Sequence, residues 1–317
     1  MATLIIGGTG FIGKAVVRRI LQTEEKVVVM SRRSHAFSED IQHRVDNVTG
    51  DVRSFSDVMK IVHDYEIDRI IHAAYMLTRA SAENPMSAIE TNVMGSANVF
   101  EAARITGVKR IVFCSSLTVY AAQEYYGNRV VTEEETLLKP ASLYGATKLL
   151  DEYIASSFQN KYGLDIIFLR IAGVYGLGTE KSALMSWPSK ITGAGISGDS
   201  VHIPIRPDEK ASFIHVQDVA EQISRLCFAD NLNYQVYNSG GYAGSGREFL
   251  DIVKKYYPNI AVNFDENAAS FWPYPSMLDG TRLSQEIDWK IRDAETGLLD
   301  MINEERLSMG LEVLNKR

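Results

Sequence analysis

The chain has too few cysteines for a disulfide framework and no apolar run long enough to cross a membrane. Its 317 residues include only Cys114 and Cys227, which can supply neither several disulfides nor the four ligands of a structural zinc site. No stretch approaches the roughly 18 consecutive apolar residues of a transmembrane helix. The sequence opens directly into an apolar run, without a basic leader. We therefore expect a cytoplasmic protein.

The chain also lacks an excess of basic residues and any histidine spacing typical of a metal site. Lys and Arg number 33 against 40 Asp and Glu, which gives a formal net charge of −7. Binding of nucleic acid or an anionic membrane needs a basic face, so neither partner is expected. The six histidines are scattered. We predict a small-molecule substrate and no metal ion.

Short apolar runs alternate with stretches of helical length in the first half of the sequence. Several of the runs are almost continuously apolar, as in strands buried on both faces of a parallel sheet. This alternation predicts an α/β fold, a Rossmann-type doubly wound parallel sheet with right-handed crossovers. The predicted strands are 3–7, 26–31, 47–50, 69–73, 110–115 and 165–171, and the predicted helices are 10–23, 55–65, 86–106 and 143–162.

The residue composition changes after Ile171, where glycine and proline become frequent. We expect loops and short elements there, then a return to the sheet at 213–216 and 235–238 around a helix at 218–228, and tail helices at 247–256 and 294–306. The predicted division is a nucleotide-binding domain of residues 1–176 and 213–241 and a smaller C-terminal substrate lobe of 177–212 and 242–317. The lobe also contains aromatic side chains, which are more often core than pocket lining: Trp187, Trp272, Tyr242, Phe271 and Tyr274.

A glycine-rich turn joins the first predicted strand to the first predicted helix. Gly7, Gly10 and Gly13 give the spacing G-x-x-G-x-x-G, with Phe11 and Ile12 inside it. Glycine is needed where the chain turns sharply and where the backbone approaches a pyrophosphate, and free N–H groups at a helix start hold the anion. A tight turn without ligand is the alternative. The strand–turn–helix context favours a dinucleotide site.

The residues after the second predicted strand bear on which dinucleotide binds. Ser31, Arg32 and Arg33 follow that strand, and the next acidic residue is Glu39. An acid at this position would bond the ribose hydroxyl of NAD, whereas arginines can hold a 2′-phosphate through charge-assisted hydrogen bonds. The sequence therefore favours NADP over NAD, although two solvated arginines would look the same.

Three side chains suggest proton transfer beside this nucleotide. Tyr144 and Lys148 form a Y-x-x-x-K pattern on one face of a predicted helix. A nearby ammonium lowers the pKa of a phenol and suits it to act as general acid or base. Ser116 follows the fifth predicted strand, at the sheet edge where such folds place their chemistry, and could hydrogen-bond a substrate oxygen. A single serine is otherwise often a turn or helix cap.

Taken together, these residues resemble the extended short-chain dehydrogenase/reductases, the group that includes sugar-nucleotide epimerases and dehydratases. The resemblance covers nearly the whole chain. Further short motifs carry it in order along the sequence: Gly50-Asp51-Val52, Ile71-His72-Ala73-Ala74, Asn92-Val93-Met94-Gly95-Ser96, Leu169-Arg170, Val174-Tyr175-Gly176, Phe213 to Ala220 and Tyr237 to Gly241.

The resemblance implies roles for individual residues. Ser116, Tyr144 and Lys148 would be catalytic. Asp51 and Val52 would flank an adenine, Ala73 and Ala74 would line the cofactor, and Asn92 would support the site through its helix. The full set of implied cofactor contacts is Gly7, Gly10, Phe11, Ile12, Gly13, Ser31, Arg32, Arg33, Asp51, Val52, Ala73, Ala74, Asn92, Ser115, Tyr144 and Lys148, and the implied substrate contacts are Tyr75, Thr118 and Tyr175.

Three departures from the family pattern concern the substrate. Leu117 and Thr118 stand where the 4,6-dehydratases carry an acidic pair, so that dehydration is not expected. The asparagine that many sugar-nucleotide enzymes carry shortly after the arginine of the sixth strand is missing, since Arg170 is followed by Ile171, Ala172 and Gly173. Ser212 replaces a basic residue beside Phe213. These changes count against a nucleotide sugar, although Arg206 and Lys210 could still meet an anion.

Three functions follow from these patterns. The first is net oxidoreduction of a secondary alcohol or ketone, within a sugar or another molecule, with exchangeable NADP. The second is epimerisation through a transient ketone with retained cofactor. The third is a non-catalytic nucleotide-binding regulator, a class that commonly loses the Tyr–Lys pair kept here. The family often pairs through two helices from each subunit, so that helices 86–106 and 143–162 predict a homodimer.

Overall fold

A seven-stranded parallel sheet and two small sheets organise the chain. The computed structural model describes residues 1–33, 37–135, 137–179 and 184–316. The strands are β1 Ala2–Ile6, β2 Lys26–Ser31, β3 Val45–Thr49, β4 Arg69–His72, β5 Arg110–Ser116, β6 Ile166–Ile171, β7 Gly173–Tyr175, β8 Val201–Ile203, β9 Ala211–His215, β10 Val236–Asn238, β11 Tyr242–Gly244 and β12 Val262–Phe264.

Helices follow most strands. They are α1 Phe11–Ile20, α2 Glu39–Gln42, α3 Phe55–Asp64, α4 Thr78–Glu83, α5 Pro85–Ala88, α6 Gly95–Thr106, α7 Leu143–Tyr162, α8 Trp187–Ser197, α9 Val216–Phe228, α10 Gly246–Tyr256, α11 Thr281–Glu286 and α12 Ala294–Ser308. A π-helical segment, Ile89–Met94, joins α5 to α6, and two short 3₁₀ turns, Leu117–Val119 and Gln123–Tyr125, follow β5.

The main sheet confirms the predicted fold class. Its strand order is β10-β6-β5-β4-β1-β2-β3, and every pair in it is parallel. This is the order of a doubly wound sheet, in which the carboxyl ends of the central strands share one edge. The strands β1, β5 and β6 are almost wholly buried because helices cover both faces.

The segments after β6 depart from the sequence prediction. The expected return to the main sheet near 213–216 is wrong, because β9 pairs with β7 and β11 in a separate three-stranded sheet. The strand predicted at 235–238 does join the main sheet, as β10 beside β6. The stretch expected to hold only loops and short elements contains the eleven-residue helix α8.

The predicted helix 86–106 is interrupted. Its residues divide into α5, the π-helical segment and α6. A π-helical turn adds a residue to the helical repeat and is often found at functional sites. Here it contains Asn92, which is fully buried.

Candidate active site

The glycine turn leaves room for a phosphate group at the start of α1. Gly7 has a φ of +86°, and a Cβ there would lie 2.8 Å from the backbone nitrogen of Ala74. A Cβ on Gly13 would lie 2.2 Å from the carbonyl oxygen of Gly7. Gly10 is the N-cap residue of α1, and no described side chain accepts a hydrogen bond from the first N–H groups of this helix. These N–H groups are therefore available to an anion. These features fit the pyrophosphate of a dinucleotide.

A cavity of about 390 Å³ extends from this turn along the carboxyl edge of the sheet. Many of the predicted cofactor contacts line it, and Tyr75 does so too. The lining residues are Ile6, Gly7, Thr9, Gly10, Met30, Ser31, Arg32, Arg33, Gly50, Val52, Ala73, Ala74, Tyr75, Met76 and Thr91. The other predicted contacts, Phe11, Ile12, Gly13, Asp51, Asn92, Ser115, Tyr144 and Lys148, are not among these lining residues. Phe11, for example, packs its ring 3.1 Å from where a Cβ on Gly178 would lie.

Arg32 and Arg33 are exposed at the rim of this cavity, at the end of β2. Among the described residues, neither forms an ion pair with a carboxylate. Asp51 pairs with Arg53 at 2.6 Å, and this hydrogen bond lowers the pKa of the Asp51 carboxyl. The two arginines therefore place exposed positive charge at the rim of the cavity.

The helix α7 brings Tyr144 to Ser116. Ser142 caps the helix by accepting a hydrogen bond from Gly145 N at 3.2 Å. A Cβ on Gly145 would lie 2.4 Å from where the carbonyl oxygen of Thr118 sits, so only glycine allows α7 to approach the turn after β5 this closely. The hydroxyl of Ser116 is close enough to the phenol of Tyr144 to lower its pKa. The side chains predicted to be catalytic therefore meet at the end of β5.

Lys148 lies behind Tyr144 and is almost fully buried. Its amine donates a hydrogen bond to the carbonyl oxygen of Cys114, and Nζ lies 5.7 Å from the centre of the Tyr144 ring. Burial lowers the pKa of Lys148 to about 7 and raises the pKa of Tyr144 above its usual value. The nearby hydroxyl of Ser116 opposes the increase in the Tyr144 pKa.

Asn92 fixes the position of α7 relative to the loop after β4. Its side-chain oxygen accepts a hydrogen bond from Met76 N at 2.8 Å, and its amide nitrogen donates to Met76 O and Thr147 Oγ1, each at 3.1 Å. The supporting role implied by the family resemblance stays a prediction.

The other predicted contacts have varied surroundings. Ser115 donates to Glu152 and so takes part in a buried network rather than in the cavity lining. Thr118 is buried, and its hydroxyl has no hydrogen-bond partner among the described residues. Tyr175 is buried, with its hydroxyl 2.1 Å from where a Cβ on Gly297 would sit. The structure does not bring Tyr175 together with Tyr144, and its substrate role remains a prediction.

Sequence reasoning did not anticipate the chain segment that lies beside these residues. We call residues 270–279 the aromatic strap. Glu209 holds one end by accepting hydrogen bonds from the backbone nitrogens of Phe271 and Trp272. Gln123 holds the other end by accepting from the nitrogens of Ser276 and Met277. Its rings were visible as lobe aromatics, but nothing in the sequence linked them to Glu209 or Gln123.

The strap covers the end of the sheet next to Ser116. Ser116 pairs with Ile171 across β5 and β6, and Gly173 follows two residues later. A Cβ on Gly173 would lie 2.6 Å from the indole ring of Trp272. The buried Tyr274 is close enough to Tyr144 to raise the pKa of its phenol. Aromatic rings therefore border the space beyond the catalytic hydroxyls.

Comparison with known proteins identifies the family of this chain. The profile of the NAD dependent epimerase/dehydratase family matches residues 3–240. The chain belongs to this family. It is 27% identical to a UDP-glucose 4-epimerase of Erwinia amylovora, over 92% of this chain and 93% of that protein.

Solved structures show the same architecture. A UDP-glucose 4-epimerase of Thermus thermophilus in complex with NAD is 25% identical, with a TM-score of 0.82 over 96% of this chain and 99% of that one. An L-threonine dehydrogenase of Cupriavidus necator is 18% identical, with a TM-score of 0.84 over 95% and 99%, and this likeness concerns the fold alone. The chain is an NAD(P)-dependent enzyme of the extended short-chain dehydrogenase/reductase type.

The described residues lack two features, a membrane-spanning helix and a cluster of metal-binding side chains. No helix among them is both long and apolar enough to span a bilayer. The same residues contain no group of three or more His, Cys, Asp or Glu side chains arranged to hold a metal ion.

Proposed function

We propose that the protein catalyses net oxidation or reduction between a secondary alcohol and a ketone, with Tyr144 moving the proton. The placement of Tyr144 near Ser116, with the buried amine of Lys148 5.7 Å from the centre of its ring, carries this proposal. A bound nicotinamide ring supplies or accepts the hydride. In alcohol oxidation, the phenolate of Tyr144 takes the hydroxyl proton. Ser116 donates a hydrogen bond to the substrate oxygen, and the ammonium of Lys148 favours the phenolate.

Replacement of Tyr144 by phenylalanine tests this assignment. Tyr144→Phe is expected to lower kcat by about 10²–10⁴-fold because it removes the general acid or base. The Kd of the nucleotide should stay within about twofold, since the phenolic oxygen is one small part of the nucleotide surface. Reduced-nicotinamide absorbance measures the first and calorimetry the second. Tyr162→Phe, at the exposed end of the same helix, is the control. Unchanged turnover in Tyr144→Phe removes this residue from the mechanism.

We further propose that NADP is the preferred nucleotide. The exposed Arg32 and Arg33 at the cavity rim support this choice, because a 2′-phosphate offers charge-assisted hydrogen bonds to guanidinium groups. In the double variant Arg32→Ala, Arg33→Ala, affinity for NADP should fall by at least about tenfold relative to affinity for NAD. Calorimetry with both nucleotides measures this ratio. Arg79→Ala, at an exposed pair with Glu83, should leave it unchanged. An equal loss for both nucleotides contradicts the proposal.

The surroundings of the strap favour a compact substrate without a diphosphate. A diphosphate carries charge that needs cations or N–H donors. The described basic residues of the nearby loop are already paired, Arg206 with Glu209 at 3.4 Å and Lys210 with Glu248. Trp272 occupies the space beside Gly173. We therefore expect no saturable binding of UDP-glucose to the nucleotide-loaded protein in calorimetry.

The second candidate is epimerisation of a nucleotide sugar. Its support is the similarity to UDP-glucose 4-epimerases over nearly the full length of the chain. The two candidates differ in their products. Conversion of a sugar to its stereoisomer without net change in nicotinamide absorbance favours epimerisation, whereas stoichiometric change in that absorbance favours oxidoreduction.

A homodimer is also proposed. Large apolar side chains are exposed on α7 and on the π-helical segment, including Met94 (54% exposed), Leu150 (47%) and Tyr153 (64%). Contiguous exposed apolar surface often marks a protein interface. Light scattering should give twice the chain mass, and Leu150→Glu should reduce it to a monomer. A wild-type monomer contradicts the proposal.

The location that we propose is the cytoplasm. Cys114 and Cys227 are both free and buried, which agrees with a reducing compartment. Fractionation of the source cells tests this location.

A further inference from the structure

A buried ion pair lies one helical turn beyond Lys148. Glu152 shares one face of α7 with Lys148 and Tyr144, because the three residues follow one another at intervals of four. The guanidinium of Arg170, on β6, donates from Nη2 to Glu152 Oε2 at 2.6 Å and from Nε to Glu152 Oε1 at 3.1 Å. The Arg170 and Glu152 side chains are only 6% and 8% exposed. These two parallel hydrogen bonds fix both the distance and the angle between α7 and β6.

The same pair contacts the chain on both sides of Ser116. Ser115 stands opposite Arg170 in the register of β5 and β6, and its hydroxyl donates a hydrogen bond to Glu152 Oε1. Beyond Ser116, the hydroxyl of Tyr120 accepts a hydrogen bond from Arg170 Nη1 at 2.8 Å. Ser116 therefore lies in a short stretch, 115–120, that is bonded to the ion pair at each end.

Further hydrogen bonds hold this stretch in place. The fully buried Tyr120 donates from its hydroxyl to Asn238 Oδ1, on β10, at 2.8 Å. Ser116 Oγ accepts a hydrogen bond from Thr118 N at 3.2 Å. This bond uses a lone pair of the Ser116 oxygen and leaves the hydroxyl proton for another acceptor. The turn after β5 is thus anchored to both β6 and β10, with the Ser116 hydroxyl able to donate.

Stability alone does not account for a buried pair of this kind. The transfer of two ions from water to the interior offsets most of their attraction, and apolar side chains of similar volume often give equal or greater stability. Apolar side chains do not reproduce the directional bonding of a planar guanidinium. Glu152 and Arg170 join the helix that carries Tyr144 to the strand end that carries Ser116. Their directional effect therefore falls on the separation of these two hydroxyl groups.

We propose that Glu152 and Arg170 are positioning residues that hold the phenol of Tyr144 at the distance and angle from Ser116 that proton transfer requires. The proposal deepens the proposed function, since it rests on Tyr144 as the acid–base group. Neither Glu152 nor Arg170 is among the residues that line the cavity beside the glycine turn. Their effect passes through α7 and the turn after β5, and it falls on turnover rather than on nucleotide affinity.

A double variant separates positioning from stability. Glu152→Met combined with Arg170→Met removes both charges and leaves no unpaired ion in the interior, so the denaturation midpoint should stay close to that of the wild type. The nucleotide Kd should stay within about twofold. The kcat should fall by about tenfold to a hundredfold, because displacement of a reacting group by about 1 Å has an effect of this size. Denaturant unfolding, calorimetry and reduced-nicotinamide absorbance measure the three quantities. A folded double variant with wild-type kcat overturns the proposal.

The matched control uses an ion pair at the other end of the same two strands. Arg110, the first residue of β5, pairs at 2.7 Å with Asp165, which precedes β6. The strand from Arg110 to Ser116 spans about 20 Å. Arg110→Met combined with Asp165→Met should therefore leave kcat within about twofold of the wild-type value. An equal loss of kcat in this control shows a general effect on the sheet and overturns the proposal.

A double-mutant cycle tests whether the pair acts through Tyr144. In the Tyr144→Phe background no phenol remains to be positioned, so that adding Glu152→Met and Arg170→Met should change the residual kcat by less than about twofold. A purely structural role would not depend on Tyr144 in this way. A further loss of about tenfold in that background overturns the proposal. Unchanged turnover in Tyr144→Phe alone instead overturns the proposed function, so the two failures are distinguishable.

A single substitution applies should the double variant not fold. Ser115→Ala removes the hydroxyl that links Glu152 to the end of β5 and leaves the ion pair with Arg170 in place. Its kcat should fall by about tenfold, which corresponds to the loss of one hydrogen bond to a charged group. An unchanged kcat in Ser115→Ala overturns the proposal as well.

Discussion

The nucleotide-binding half and the lobe are stabilised internally by different kinds of contact. In the first, neighbouring strands pair in parallel register, and the glycine turn sits directly between β1 and α1. In the lobe, single side chains join distant segments, as Glu209 does with the start of the aromatic strap and Gln123 with its end. Local sequence therefore specifies the nucleotide site, whereas long-range contacts shape the substrate side. Substrate preference can change in such a lobe without disturbing the nucleotide site.

The largest expected effect that separates the two halves is on nucleotide binding. Gly13→Val should raise the nucleotide Kd by about a hundredfold or more, because any Cβ there meets the carbonyl of Gly7 and displaces the turn from the pyrophosphate. Calorimetry measures the change. Gly193→Ala in the lobe is the matched control, since its Cβ meets only the end of the Glu305 side chain. A comparable loss of nucleotide affinity in both variants would show that nucleotide binding does not depend specifically on the glycine turn.

A smaller effect is expected from opening the strap. Trp272→Ala should lower the free energy of unfolding by about 3–5 kcal/mol, because it leaves a cavity in a packed aromatic cluster. It should raise the substrate KM and leave the nucleotide Kd unchanged. Denaturant unfolding, steady-state kinetics and calorimetry measure these quantities. Trp289→Ala, outside the strap, should not alter KM. A weakened nucleotide Kd in Trp272→Ala would mean that the two halves are coupled.

The smallest effect concerns a cap in the lobe and depends on pH. Asp293 accepts a hydrogen bond from Thr296 N at 2.8 Å, and this bond and Lys316 lower the pKa of the Asp293 carboxyl to about 2. Because the folded-state pKa lies below the unfolded value of about 3.9, the stabilisation is present above that value and is lost as pH falls toward 2. Asp293→Ala should cost about 0.5–2 kcal/mol at neutral pH.

Chemical unfolding of both proteins across pH checks this expectation. The difference between wild type and Asp293→Ala should shrink on acidification, and nucleotide affinity should be the same in the two proteins. A difference that stays constant between neutral pH and pH 2 would show that the carboxylate does not act as a cap.

Much of the catalytic constellation was predictable because helical spacing and strand ends are local properties. Tyr144 and Lys148 share a face of α7, and Ser116 ends a buried strand. The structure places Ser116 near Tyr144, and their catalytic roles stay a prediction. The pairing of Glu152 with Arg170 was not predictable in this way, because it joins residues that are 18 positions apart.

The sequence alone determined the parallel sheet, the glycine turn and the helix that carries the tyrosine and lysine. Each depends on apolar periodicity or on residues a few positions apart, and these act before the chain folds back on itself. Only the tertiary structure decided that β9 leaves the main sheet, that Trp272 packs over Gly173 and that Glu152 pairs with Arg170. These outcomes depend on which distant surfaces compete for the same partner, and the spacing of residues along a single chain does not contain that information.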